Sequence, residues 1–384
     1  MKTTPMHYLT LLLGFSVTKY TWGFIRVDVN WLTDNYVQTI NEQSKGRWKA
    51  SRNAFDKFTD EQLLVLGGLK AYHPDPKFKP YTKRYDNINR TKIPPSFDAR
   101  QHWPQCGSIG VVRDQRYCGA SWDFAAAEVM SDRICVASQG MIEFTFSVEE
   151  LIACCESCGN GCTSGYLYTP FEYWRIYGIP SGGDQYRSEL LYNSTANELS
   201  KLTKGDLIDI IVTKEVPCTI NVSKTTKEII EKGNYKYNYL HQGCKPFTAS
   251  NGVNPVCSPH CTLGYNKSLE SDRRHGLAAY HVHPDVAQIQ TEILTNGPVV
   301  AAIDLYKDYF AYKEGIYEHT SWELVGRHAV KIIGWGVENG VPYWLLMNSW
   351  GSEFGVEGVS KIQRGVNQCG IEYSVTGGVP NVME

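Results

Sequence analysis

Three short motifs carry side chains whose types suit nucleophilic and acid–base chemistry. Ser121 lies in CGASW, His328 in GRHA and Asn348 in NSWG. A hydroxyl becomes a nucleophile when a neighbouring base removes its proton, and histidine suits that task because it titrates near neutral pH. A third polar group that contacts the imidazole can hold the ring in one orientation. We therefore treat these three residues as a candidate catalytic set.

A helix is predicted to position Ser121. The residues after it, DFAAAEVMSDRI, are rich in alanine, and apolar side chains recur at near-helical spacing at Phe124, Ala127, Met130 and Ile134. Backbone N–H groups and the positive dipole end at a helix start stabilise an anion and depress the pKa of a cysteine. Serine is also a favourable N-cap, so an ordinary capping role is the alternative interpretation.

A hairpin is predicted to bring His328 and Asn348 together. The β-rich runs AVKIIGWGV and VPYWLLMN flank Asn339-Gly340, and Asn-Gly is the strongest short hairpin signal. Counting outward from that turn places both residues near the open end of the hairpin. A lone histidine is more often a structural hydrogen-bonding residue, but this pairing indicates an oriented imidazole.

Length and charge bound the class of protein. The chain has 384 residues, enough for two or three units with a substantial core. With 38 basic and 40 acidic residues its net charge is -2, which gives no electrostatic footprint for nucleic acid or an anionic membrane. We expect no nucleic-acid partner and no cofactor.

The N-terminus indicates export. The apolar run at 8–17 is too short to span a bilayer but suits a signal peptide, which we place at 1–23. A hydrophobic strand of the mature fold is the alternative, because no clean cleavage motif follows. We expect no membrane span. Four glycosylation sequons agree with export: Asn89, Asn193, Asn221 and Asn266.

The cysteines indicate a disulfide-stabilised domain. All 12 lie between Cys106 and Cys369, a usage typical of an oxidising compartment. One cluster contains a CxxC spacing and could alternatively bind zinc: Cys154, Cys155, Cys158 and Cys162. No paired histidine spacing accompanies it and the chain has an export signal, so we expect no metal.

The motifs resemble the three active-site blocks of the papain family. DQRYCGASW, GRHA and NSWG occur in the family's order, and the first matches its nucleophile signature apart from the serine. Residues 93–384 further resemble cathepsin B, in SFDAR, SDRIC and GWGVENG, and 48–69 are similar to its inhibitory propeptide. The resemblance implies an α+β, two-lobed fold, with a helical left lobe, a β-rich right lobe and a cleft between them. It implies a propeptide at 24–92 and a peptidase domain at 93–384.

The resemblance also implies a role for each site residue. Ser121 stands at the nucleophile position, Gln115 would donate to the oxyanion, His328 would be the acid and base, and Asn348 would orient the ring under Trp350. The residues implied to contact substrate are Ser164, Gly165, Arg327, Trp350 and Ser374.

Several residues depart from the family pattern. The family has cysteine at Ser121, and a serine cannot form its thiolate–imidazolium pair. Arg327 replaces a glycine and is expected to place a positive charge beside His328. Ser164 replaces a cleft-wall glycine, and Ser374 replaces an acidic residue of the second specificity pocket.

Two loops differ as well. Residues 187–241, which include Cys218, have no family counterpart, and a loop of that length is functional or disordered. The loop from Cys244 to Cys257 lacks the paired histidines that would grip a substrate C-terminus. Family pairing implies these disulfides: Cys106–Cys135, Cys118–Cys162, Cys154–Cys257, Cys155–Cys158 and Cys244–Cys261. Cys218 and Cys369 are left over and need not pair with each other.

We interpret the chain as a secreted or lysosomal cathepsin B-like pseudoprotease. Its cleft would bind a peptide or protein, its own propeptide would be a second ligand, and the 187–241 insert could hold a further partner. An active endopeptidase that uses Ser121, His328 and Asn348 is the alternative, and a structural role is another. A serine introduced to trap a zymogen is disfavoured because Ala120, Asp123 and Arg327 also differ from the family.

Overall fold

Two large hydrophobic cores and one smaller core organise the part of the chain that the structure describes. The computed structural model describes residues 31–70, 75–183, 243–249 and 251–383. The first large core surrounds a long helix, the second surrounds a large sheet, and the smaller core includes Ile109 and Ile333. The predicted signal peptide and the 187–241 insert lie outside the described residues, and so do Cys218, Asn193 and Asn221.

Most of the short helices begin at a capping side chain, and one long helix contributes to the first core. The Thr59 side chain accepts from Gln62 N–H while the Gln62 side chain accepts from Thr59 N–H, a capping box that starts the second helix. The helices are α1 Asp34–Gln43, α2 Asp60–Leu66, α3 Ala99–His102, α4 Ser121–Ala137, α5 Val148–Cys154, α6 Thr169–Tyr177, α7 Leu269–Asp272 and α8 Val286–Asn296. Within the described ranges none is long and apolar enough to cross a membrane.

Of the strands in the described ranges, ten form one sheet and two form another. The strands are β1 Trp48–Ala50, β2 Leu69–Lys70, β3 Thr82–Lys83, β4 Phe97–Asp98, β5 Gly165–Tyr166, β6 Gly276–Val282, β7 Val299–Tyr306, β8 Tyr312–Tyr317, β9 Leu324–Glu338, β10 Val341–Met347, β11 Val359–Gln363 and β12 Val375–Pro380. In the large sheet the order is β1-β8-β11-β10-β9-β7-β12-β6-β3, with β4 on β9. The small sheet pairs β2 with β5.

Helix α4 is buried on every side. Its residues from Ser121 to Cys135 are all buried, so the predicted helix is correct but is not one-sided. Several of its side chains contribute to the first core, and the helix also contacts β9 and β12. A helix that is buried all round gives its first residue a fixed position between the two cores.

The predicted hairpin is confirmed. Strands β9 and β10 pair antiparallel, with Val341 opposite Glu338 and Met347 opposite Lys331. Asn339 and Gly340 both have positive φ, 51° and 79°, as a tight hairpin turn requires. Because register fixes which residues lie opposite each other, the turn also fixes the open end, where His328 and Asn348 lie.

Five disulfides staple the described part of the domain. They are Cys106–Cys135, Cys118–Cys162, Cys154–Cys257, Cys155–Cys158 and Cys244–Cys261, the same pairs as the family resemblance implies. The zinc interpretation of the CxxC cluster is wrong because all four of its sulfurs are in disulfides. Cys369 is buried and forms no disulfide with any cysteine of the described ranges.

The region before residue 70 packs against the sheet. Strand β1 pairs antiparallel with β8, and Trp48 is almost fully buried between Tyr312 and Tyr317. The Trp48 indole N–H donates to the Glu318 carbonyl at 2.9 Å. This segment therefore completes the second core instead of lying loosely on its surface.

Candidate active site

An imidazole and an amide meet at the open end of the β9–β10 hairpin. His328 Nε2 lies 2.8 Å from Asn348 Oδ1, and the ring centroids of His328 and Trp350 are 4.4 Å apart. Ser349 N–H donates to the same Asn348 oxygen at 2.8 Å. A carboxamide oxygen only accepts, so Nε2 carries the ring proton and Nδ1 is the basic nitrogen.

Burial controls the protonation of His328. It lowers the pKa of the imidazole to about 4, while the Asn348 and Leu66 oxygens beside its two nitrogens act in the opposite direction, because they favour the protonated ring. The Leu66 carbonyl oxygen lies 3.4 Å from Nδ1, so a residue of the predicted propeptide faces the basic nitrogen. His328 is therefore a neutral and weak base in this state of the protein.

Ser121 is the first residue of α4 and faces β9. Its Oγ accepts a hydrogen bond from Ala329 N–H at 3.1 Å. The N-cap is Ala120, which makes no side-chain cap, so the interpretation of Ser121 as an ordinary N-cap is wrong. The hydroxyl thus lies at a helix N-terminus, next to the strand that carries His328, where an anion would be stabilised.

Gln115 is held rigidly beside this helix start. Its Nε2 donates to the Cys118 carbonyl at 2.8 Å, and its Oε1 accepts from Ser349 Oγ at 2.7 Å. Ser349 is a positioning residue that the sequence reasoning missed. It lies within the NSWG motif, which was the available signal.

A segment of the predicted propeptide crosses between the lobes. Arg327 N–H donates to the Gly67 carbonyl at 3.1 Å, and Gly165 N–H donates to the Gly68 carbonyl at 3.1 Å. A Cβ on Gly68 would lie 2.5 Å from the Thr163 carbonyl oxygen, so only glycine fits there. The cleft is therefore occupied by the chain itself.

The other residues implied to contact substrate lie around this crossing. A cavity of about 330 Å³ is lined by Arg327 and Ser374 together with Tyr166 and His281. Gly165 lies in β5, where a Cβ would collide with the Trp122 ring, and the half-buried Ser164 precedes it. The structure thus brings Ser121, Gln115, His328, Asn348 and Trp350 together and places Arg327 and Ser374 at the adjoining cavity.

Arg327 does not have the expected electrostatic effect on His328. Its Nε lies 3.1 Å from Asp304 Oδ1, across the β7–β9 pair. Successive side chains of a strand point to opposite faces, so Arg327 and the imidazole diverge. The lowered pKa of His328 arises from burial.

Buried charges along α4 were also missed. Lys331 Nζ lies 3.3 Å from Glu128 Oε2 and 3.0 Å from Asp132 Oδ2, all of them buried. Asp123, two residues after Ser121, is fully buried, and neither carboxyl oxygen has a hydrogen-bond partner among the described residues. Burial raises the pKa of Asp123 well above its usual range, and nearby Arg113 opposes the shift. Charged residues inside an alanine-rich helix were the only sequence signal.

The comparisons with known proteins identify the family. The family model described as "Papain family cysteine protease" matches residues 93–379. The chain belongs to the papain family. It is 38% identical over 356 residues to "Cathepsin B-like cysteine proteinase 6" of Caenorhabditis elegans, covering 91% of this chain and 83% of that one. It is 33% identical over 348 residues to "Cathepsin B-like cysteine proteinase" of Schistosoma japonicum, covering 91% of each.

Solved structures agree with this family assignment. The structure titled "proCathepsin B S9 from Trypanosoma congolense" has a TM-score of 0.68 and 28% identity, covering 91% of this chain and 99% of that one. A procathepsin L2 of Tenebrio molitor has a TM-score of 0.62 and 21% identity, covering 90% of this chain and 89% of that one, and supports the fold alone. The expected papain-like α+β fold is confirmed, and the protein is a cathepsin B-like papain-family member.

Proposed function

We propose that the chain is a cathepsin B-like pseudoprotease, with Ser121 at the position where the papain family has its nucleophilic cysteine. The observation that carries the proposal is the placement of the Ser121 hydroxyl. It lies at the start of α4 and accepts from Ala329 N–H at 3.1 Å, a position that suits an anion. A thiol, with a pKa of ~8.5, would ionise there, whereas a serine hydroxyl titrates far above the working pH.

The base that serine would need supports the same proposal. A serine nucleophile needs general-base help during attack, and in the state in which the propeptide covers His328 burial lowers the pKa of the ring to about 4, which makes it a weak proton acceptor. The ring is oriented by Asn348, a neutral amide. Serine enzymes place a carboxylate there, which stabilises the imidazolium ion that forms.

Binding does not require the missing thiolate. Backbone groups of Arg327 and Gly165 already hold an extended segment of the chain across the cleft. We propose that the same groups bind a peptide or protein ligand after the propeptide leaves. A papain-like fold does not by itself require catalysis, because function resides in the site and not in the fold.

We further propose three regions and an exported location. Residues 1–23 are the signal peptide, 24–92 the propeptide and 93–384 the peptidase-like domain, secreted or lysosomal. The five disulfides support an oxidising compartment. Among the proposed glycosylation sites, Asn89 and Asn266 are exposed.

An active endopeptidase is the second candidate. Its support is the 2.8 Å contact of His328 with Asn348 and the fixed side chain of Gln115, which leave the remaining site assembled. On this reading Ser121 would attack a peptide carbonyl while His328 Nδ1 accepts the hydroxyl proton.

Labelling with a thiol-directed epoxide tests the proposal. We expect no adduct at residue 121 in the wild-type protein from which the propeptide has been removed, and an adduct in Ser121→Cys. Ser121→Ala is the matched control for reaction elsewhere. An adduct on Ser121 itself, or hydrolysis by the wild type that Ser121→Ala abolishes, would support the endopeptidase.

A further inference from the structure

A second attachment of the propeptide lies on the edge strand of the large sheet. Strand β3 pairs parallel with β6, with Thr82 opposite His281. His281 N–H donates to the Tyr81 carbonyl at 3.0 Å and His283 N–H to the Lys83 carbonyl at 3.1 Å. Residues 81–85, which we call the latch, therefore extend the sheet of the peptidase-like domain by one strand.

Two latch side chains converge on one buried carboxylate. Lys83 Nζ lies 3.0 Å from Oε2 of Glu292 in α8, and the Tyr85 hydroxyl donates to the same oxygen at 2.7 Å. Glu292 is fully buried, and the Lys83 side chain is 24% exposed. Gln288 also contacts Tyr85 from α8, accepting from its backbone N–H at 2.7 Å and donating to its carbonyl at 3.0 Å.

The other carboxylate oxygen belongs to the domain. Glu292 Oε1 lies 2.9 Å from buried Arg133 Nη2 and accepts from the Tyr280 hydroxyl at 2.7 Å and from Asn296 Nδ2 at 3.0 Å. Oε1 would thus keep its donors if the latch left, but Oε2 would lose Lys83 and Tyr85. A buried, charged acceptor left without donors is costly, so departure of the latch is opposed.

The chain beyond the latch is open to solvent. Asp86 and Asn87 are exposed, and Arg90 pairs with Asp285 at the surface. A protease that hydrolyses a peptide bond with water in this stretch would cut after the latch and leave it attached to the upstream propeptide. The two neighbouring basic residues Lys83 and Arg84 differ in their surroundings. Lys83 is paired with Glu292, whereas Arg84 is exposed.

We propose that residues 81–85 bind the Glu292 site independently of the cleft and retain the propeptide on the domain after cleavage between 86 and 92. The occupant of the site is the chain's own Lys-x-Tyr segment. The proposal does not depend on Ser121. Among the described residues, neither the latch nor Glu292 is hydrogen-bonded to Ser121, His328 or Asn348.

Acid should not open this site. Four groups face Glu292: Arg133, Lys83, Tyr85 and Tyr280. The charges of Arg133 and Lys83, with the two tyrosine hydroxyls, lower its pKa to about 2 against the opposing effect of burial. A depressed carboxyl pKa gives stability that is present above the unfolded value and lost only as pH falls towards the folded value. The latch therefore stays bound at the acidic pH of a lysosome.

The test uses the full chain, cut at one defined point. A short recognition sequence for a site-specific protease is inserted between the exposed Asp86 and Asn87, and the cut protein is followed by native mass spectrometry near pH 7 and near pH 4.5. In Lys83→Met the upstream fragment should dissociate about 10- to 100-fold faster than in the unsubstituted protein at both pH values. Arg84→Met, which removes the same charge from the next, exposed residue, is the matched control and should not change the rate.

Equal dissociation rates in Lys83→Met and Arg84→Met would overturn the proposal. If Lys83→Met does not fold, Tyr85→Phe removes only the hydroxyl contacts to Glu292 and Asn296, and hydrogen exchange at the His281 and His283 amides reports whether β3 stays paired. Faster exchange in cut Tyr85→Phe supports the latch, and unchanged exchange overturns it. Loss of peptide binding in the cleft would affect the proposed function but not this result.

Discussion

The two halves of the candidate site differ in how far each retains the chemistry of the family. The sheet half carries His328, Asn348 and Trp350, with the imidazole oriented at 2.8 Å. The helix half presents Ser121 at the start of α4, and two residues later the Asp123 carboxyl has no hydrogen-bond partner among the described residues. The acid–base apparatus is assembled, whereas the group it should activate is a hydroxyl.

This difference indicates that position and reactivity are separate properties of the site. The hairpin register and the burial of α4 place residue 121 beside the His328 strand whatever its side chain is. Whether that side chain reacts depends on its own acidity, because the helix N-terminus and the Ala329 amide stabilise an anion only if one forms. The following substitutions change one half at a time.

Ser121→Cys should have the largest effect. In the protein from which the propeptide has been removed, a thiolate would form at the helix start, so peptide hydrolysis should exceed the wild-type rate by about 10²-fold or more. The measurement is turnover of a broad peptide library. A folded Ser121→Cys protein with intact disulfides and no turnover would mean that the cleft is closed by more than the missing thiol.

Removing the imidazole should then reverse most of that gain. In the Ser121→Cys background, His328→Asn should reduce kcat by about 10²-fold, the lower end of the usual contribution of a positioned general base. Asn348→Ala, which leaves the base but frees its ring, should cost less and is the comparison variant. Equal activity in Ser121→Cys and in Ser121→Cys with His328→Asn would show that His328 is not the general base.

Asp123→Ala should stabilise the fold at neutral pH. The carboxyl is buried and has no hydrogen-bond partner in the part of the chain that the structure describes, so its removal should raise the free energy of unfolding by about 1–3 kcal/mol near pH 7, measured by urea denaturation. Burial, reinforced by the Glu149 charge and opposed by Arg113, raises the folded-state pKa of Asp123.

The benefit of Asp123→Ala should depend on pH in a defined direction. Below the unfolded pKa of about 4 both states hold the proton, so the gain is smallest there. It grows as pH rises because only the unfolded state then releases the proton. A gain that is equal at pH 4 and pH 7 would contradict this account.

Arg327→Gly should have the smallest effect. Because the guanidinium pairs with Asp304 and not with the imidazole, adding this change to Ser121→Cys should alter the pH profile of kcat very little, with rates within about threefold. The control is Asp304→Asn in the same background. A large shift of the pH profile of kcat in Arg327→Gly, without a similar shift in Asp304→Asn, would support the prediction that Arg327 opposes formation of the imidazolium ion.

Local patterns predicted the elements and part of the site. The Asn339-Gly340 turn set the pairing of β9 with β10, which places His328 and Asn348 at the same end of the hairpin, although a register shift between Leu345 and Leu346 was not predicted. The alanine-rich run predicted α4, although not that it is buried all round. These features depend on residues close in sequence, so they can be predicted from a single sequence.

Contacts between distant segments were not predictable in the same way. The Leu66 carbonyl opposite His328 Nδ1 joins residues 262 positions apart, and no periodicity encodes it. The pairing of Arg327 with Asp304 depends on the register of β7 against β9, and the contact of Lys83 with Glu292 depends on the path of β3 along β6. Such pairs become visible only when the sheet order is known.

Self-processing of the purified proform at acidic pH tests the central claim most directly, because it requires the protein's own nucleophile. We predict that the wild type and Ser121→Ala keep residues 24–92 attached over the same period, and that Ser121→Cys removes them. Shortening of the wild type that Ser121→Ala abolishes would show that Ser121 is a competent nucleophile and would contradict the account.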